Sequence, residues 1–189
     1  MAVPIILGGG VLLALLVWLY LSEPDREAPP SEPVAAAAEG TPPDLSRMTP
    51  RERFDRLYNR VMAASEGGDT ATVARFTPMA LSAYGMLDTV DADARYHASM
   101  LRLHTGDVDG AAALADTILA KDPGHLFGFV IQGTVARWGR NEAALDAAHR
   151  DFLAGYDREI GRGRGEYRDH QVILDRFRAG ARGEPPVTR

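Results

Sequence analysis

Hydrophobic and polar positions divide the 189-residue chain into three regimes. Residues 3–21 are 19 positions without a charged side chain. As a helix they would be about 28 Å long, close to the hydrocarbon thickness of a bilayer. Residues 23–43 then carry six of the twelve prolines and the run Ala35-Ala36-Ala37-Ala38, with little to bury. From Thr49 onward, apolar residues recur at three- and four-residue spacing, which predicts amphipathic helices. No stretch alternates apolar and polar residues with period two, so no strands are expected. The expected fold class is all-α. Its parts are a transmembrane anchor at 1–22, an extended Pro/Ala-rich linker at 23–48, a helical-repeat domain at 49–182 and a tail at 183–189.

The apolar segment lacks the basic residues that precede a cleaved leader, and small residues suited to cleavage first occur at Ala35–Ala38. An uncleaved single-pass anchor follows, with Trp18 and Tyr20 at the distal interface. Residues 22–47 hold two Arg against six Asp and Glu, so no cationic cluster retains that side in the cytoplasm. The expected location is the cell inner membrane, with the soluble part periplasmic. Gly8, Gly9 and Gly10 would let a second transmembrane helix approach closely, and are the expected helix contact within the membrane.

Within the helical region, Thr49-Pro50-Arg51-Glu52 fits a capping box with proline in the first turn. Tyr58, Met62, Gly68, Asp69 and Leu81 recur 38 residues later as Tyr96, Met100, Gly106, Asp107 and Leu119. Residues 92–125 are 34 long and read ADARYHASMLRLHTGDVDGAAALADTILAKDPGH. In this segment Ala92, Ala94 and Tyr96 open a first helix and Gly106-Asp107 forms the turn. Ala111 sits at the helix crossing, and Asp122-Pro123 ends the second helix. The segment resembles a tetratricopeptide repeat. Residues 54–87 and 126–159 are weaker copies. The first has Val73 at the crossing and no terminal proline; the second has Ala144 at the crossing and a turn one residue short, at Gly139. Residues 88–91 account for the offset of 38. After the Gly-rich break at 161–165, Tyr167, His170, Leu174 and Phe177 share one face. They predict a capping helix over 166–179, such as repeat arrays need.

The resemblance implies a concave face built by the first helix of each pair, used to bind protein segments. Its expected members are Tyr58, Met62, Tyr96, Met100, Leu103, His104, Phe127, Val130, Arg137 and Trp138. Trp138 and Arg137 are the foremost, being beside a turn and of types that anchor interfaces.

Composition narrows the chemistry. The chain has no cysteine, which removes disulfides, thiolate metal sites and Cys nucleophiles. A net charge of −5 gives no support to polyanion binding. Twenty Arg against one Lys, together with 29 Ala, suggests GC-rich bacterial coding. No phosphate loop, nucleophile elbow or His-Glu-x-x-His motif occurs. Gly161-Arg162-Gly163-Arg164-Gly165 follows no strand and reads as an inter-helix linker. His97 and His104 are seven apart, and no nearby acidic residue completes a metal set with them. No cofactor, metal or catalytic residue is therefore expected. The expectation is a non-enzymatic, membrane-anchored protein that serves as accessory subunit or scaffold of a larger membrane complex, such as a respiratory or photosynthetic electron-transfer assembly. The alternative is a transient periplasmic assembly factor, as in cytochrome c maturation. Its partners would be other protein subunits and the bilayer, not nucleic acid.

Overall fold

The computed structural model describes residues 48–184. The anchor, Gly8–Gly10, the linker up to residue 47 and the tail from residue 185 lie outside the described residues. Eight helices follow in order: α1 Pro50–Glu66, α2 Thr70–Tyr84, α3 Ala92–His104, α4 Val108–Lys121, α5 Leu126–Trp138, α6 Glu142–Gly161, α7 Gly165–Asp169 and α8 Gln171–Ala181. Among the described residues there is no strand, and no helix long and apolar enough to cross a membrane. The described part is all-α.

The entry to α1 is the expected capping box. The Glu52 amide donates to Thr49 Oγ1 at 3.2 Å, and the Thr49 amide donates to Glu52 Oε2 at 2.8 Å. Two donors left over by the first turn are thereby satisfied. Helices α1/α2, α3/α4 and α5/α6 pack as successive pairs, and α2 and α4 each lean on the following pair. Ala98, Ala111 and Ala115 are buried where helices come close.

The three turns within pairs share one construction. Each has a single left-handed residue: Gly68 with φ 72°, Gly106 with φ 77° and Arg140 with φ 52°. The next residue is Asp69, Asp107 or Asn141. Its amide donates back to the carbonyl of Ala64, Arg102 or Ala136 at 2.8–2.9 Å, which closes the preceding helix. Its side chain accepts from the amide of Thr72, Gly110 or Ala144 at 2.9–3.0 Å, which caps the next helix.

The third turn is therefore not one residue short at Gly139. The left-handed position falls on Arg140, 34 residues after Gly106 and in register with it. Ala144 is exposed rather than at the crossing, and Ala148, one turn later, is the first buried residue of that helix. A left-handed conformation costs a residue with a Cβ about 1–2 kcal/mol, whereas glycine adopts it freely. Arg140→Gly should therefore raise stability by about 0.5–1 kcal/mol, after the larger entropy lost by glycine is subtracted. Urea denaturation followed by circular dichroism will read this as a raised midpoint. A lowered midpoint would mean that Arg140 makes a compensating contact.

Two apolar clusters form the core. The first joins Phe54, Leu57, Tyr58 and Val61 of α1 to Ala80 and Ala83 of α2 and to Ala94, Ala98 and Leu101 of α3. The second gathers Tyr96, Ile118, Leu126, Phe127, Ile131, Phe152, Tyr167, Leu174 and Phe177. Met100 packs against both. The expected single capping helix is broken at His170 into α7 and α8. Helix α8 lies against α5 and α6. A Cβ added at Gly133 in α5 would stand 2.5 Å from Phe177 Cε2, so glycine is what lets the Phe177 ring seat there.

Candidate functional site

Helices α3, α5 and α8 enclose a groove of about 360 Å³. Its walls are Tyr96 and Met100 from α3, Val130, Thr134, Arg137 and Trp138 from α5, and Ile173, Arg176 and Phe177 from α8. Trp138 stands at the C-terminal end of α5, with 57% of its surface in solvent. Few large apolar side chains are so exposed, and an indole is costly to leave in water unless something covers it. The Arg137 guanidinium lies 5.9 Å from the centre of the Phe177 ring. The groove thus combines an apolar floor, an exposed indole and two guanidiniums. It suits an apolar or aromatic side chain flanked by a carboxylate.

Five of the ten residues expected on the concave face meet in this groove: Tyr96, Met100, Val130, Arg137 and Trp138. The other five do not line it. Tyr58 is buried and its ring stacks on His97 at 3.8 Å. Met62 is half-buried against the first cluster. Leu103 is buried, and His104 is exposed at the end of α3. Phe127 is wholly buried, with its ring 4.7 Å from that of Tyr96. Tyr96 and Val130 themselves are almost completely covered and show the groove only an edge. Burial also pushes the Tyr96 phenol well above its ordinary range, with the Asp93 carboxylate adding to the effect.

Thr134, Ile173, Arg176 and Phe177 line the groove as well, beyond the residues the repeat pattern implies. The apolar face of the C-terminal segment was visible, but not that it would lie along α5 and build a wall. A larger cleft of about 600 Å³ opens between α4, α5 and α6. Alanines, Val108, Asp116 and Asp151 are among its lining, and it has no exposed aromatic anchor.

One group of side chains converges with metal-ligand geometry. Asp93 and His97 of α3 meet His170, the residue between α7 and α8. His170 Nε2 lies 2.8 Å from Asp93 Oδ1 and 3.1 Å from His97 Nε2. Burial pushes the His97 imidazole down to about 4, against the opposing pull of Asp93. Burial pushes the Asp93 carboxyl up, but the His170 hydrogen bond and the charges of His97, His170 and Arg51 outweigh it and hold it below its ordinary range. At neutral pH, then, His97 is an uncharged imidazole beside a carboxylate. Set beside protein-family models, curated proteins and solved structures, the chain matches none of them.

Proposed function

We propose that the chain is a non-enzymatic, membrane-anchored protein of tetratricopeptide type, acting as an accessory or stabilising subunit of a larger membrane complex. Residues 3–21 would hold it in the inner membrane, and the helical domain would clasp a partner's surface on the periplasmic side. The observation that carries this reading is the groove between α3, α5 and α8, with Trp138 exposed at its rim. The recurring turns at Gly68, Gly106 and Arg140 support the repeat assignment, because three helix pairs share one turn geometry. A subunit that binds only the assembled form stabilises that form by its binding free energy.

The test is the double variant Trp138→Ala/Arg137→Ala in the full chain. Both side chains are exposed, so melting should move by less than the equivalent of about 1 kcal/mol. Loss of two interface anchors should weaken partner association by about 2 kcal/mol or more, roughly thirtyfold. Stoichiometric co-purification from detergent-solubilised membranes reads the second effect. Wild type that never co-purifies in fixed ratio would point to a transient assembly factor instead. Unchanged association in the variant would remove the groove from the binding surface.

A further inference from the structure

We infer that Asp93, His97 and His170 form a binding site for a divalent transition-metal ion of the zinc class. The inference does not rest on what the groove binds. Three ligand atoms, Asp93 Oδ1, His97 Nε2 and His170 Nε2, are separated by 2.8, 3.1 and 3.6 Å. A tetrahedral ion with bonds of about 2.0 Å holds its ligands about 3.3 Å apart, so this triangle is nearly one face of such a tetrahedron. Two imidazoles and one carboxylate suit zinc and its first-row neighbours. The fourth position is left for water or another ligand.

Protons alone satisfy this arrangement poorly. A hydrogen on His170 Nε2 that points to Asp93 leaves that nitrogen no lone pair to accept from His97. A hydrogen on His97 Nε2 that points to His170 sets the His170 lone pair opposite the Asp93 carboxylate. A cation seated over the triangle, out of its plane, satisfies all three atoms at once. The far side of His97 agrees with this. Its Nδ1 is buried without a hydrogen-bond partner and lies 3.9 Å from Asp55 Oδ1. With a metal on Nε2, the ring proton is placed on Nδ1. A small shift would then let it donate to Asp55, the carboxylate support common behind metal-bound histidines.

The surroundings supply a path and a field. A cleft of about 250 Å³ borders Asp93, and Asp91, Glu166 and Asp169 line it with Arg51. Arg51 pairs with Asp93 through Oδ2 and also with Asp55 and Asp91, which leaves Asp93 Oδ1 for the ion. Acidic groups at a cleft mouth concentrate cations there. His170 is 73 residues from His97 and sits at the corner between α7 and α8. An ion held here would clip the C-terminal helix, one wall of the groove, to α3.

The test uses untagged full chain in detergent, titrated with Zn²⁺ alone by calorimetry and with Co²⁺ by visible absorption. Wild type should take up one Zn²⁺ per chain, give a tetrahedral cobalt spectrum and melt at a higher temperature with zinc present. His170→Ala should weaken binding by at least about 100-fold and abolish both the spectrum and the melting shift, and Asp55→Asn should weaken it about tenfold. His104→Ala, outside the cluster, should bind as wild type does. Absence of saturable binding by wild type overturns the inference without reference to any variant. It is equally overturned if His170→Ala and the milder His170→Gln, each shown helical by circular dichroism, bind Zn²⁺ as wild type does.

Discussion

Phe127→Ala should destabilise the domain by about 3–5 kcal/mol, the usual cost of emptying a phenylalanine site that cannot collapse. The side chain is wholly buried at the head of α5. Rings surround it: Tyr96 at 4.7 Å, His125 and His170 each at 5.3 Å, and Tyr167 at 5.5 Å. These neighbours come from α3, the α4–α5 turn, α7 and the α7–α8 corner, so no single helix can move in to close the void. The expected fall in melting temperature is about 10 °C or more for a domain of this size. Phe127→Leu, which keeps most of the volume, should cost less than about 1.5 kcal/mol. Thermal melting of the full chain followed by circular dichroism separates the two. Phe127 and Trp138 both belong to the face that the repeat resemblance assigns to partners, yet the first should act through stability and the second through association. A Phe127→Ala variant that melts as wild type does would mean that α7 and α8 do not cover α5 in solution.

The C-terminal segment explains why the sequence foretold some of this and not the rest. Local signals were readable because they act over three to five residues. The Thr49 capping box is one, and the Gly-Asp turns at Gly68 and Gly106 are others. Arg140 was not readable in the same way, because arginine rarely takes a left-handed conformation and Gly139 beside it offered a false landmark. In the structure Gly139 simply closes α5. The inner face of an open helical array is a groove, and the same face beneath another helix is core. Tyr96 and Phe127 are core because Tyr167, His170 and Phe177 are folded onto that side. No periodicity within residues 166–179 tells where the segment turns, and the break at His170 goes with a side chain drawn to Asp93. The same long-range closure brings His170 to His97. His104 was the sequence's nearer companion for His97, but it is exposed and has no part in the cluster.

The second large effect concerns the segment read as a plain inter-helix linker. Glu159→Ala should cost about 3 kcal/mol, at the low end of what breaking a buried ion pair costs. The Glu159 carboxylate near the end of α6 has no exposure to solvent. Arg162 Nη1 is 3.3 Å away, Arg164 Nε is 3.6 Å away, and the Tyr167 hydroxyl donates to Oε2 at 3.4 Å. Both arginines also pair with Asp122, and Tyr167 Oη accepts from the Leu126 amide at 3.0 Å. One buried charge thus ties the end of α6 and the start of α7 to the turn between α4 and α5. Removing it takes a carboxylate from Arg158, Arg162 and Arg164 and leaves the Tyr167 hydroxyl without an acceptor for its proton. The cost stays at the low end because Arg162 and Arg164 are partly exposed and can regain water. Glu159→Gln keeps the shape and an acceptor for Tyr167, so it should lose less than Glu159→Ala. A screened surface pair would weaken with salt, whereas this loss should persist at high ionic strength because the carboxylate is out of water. Urea denaturation of the two variants at low and high salt decides the matter. Equal midpoints for wild type and Glu159→Ala would return the Arg-Gly segment to the role of a passive connector.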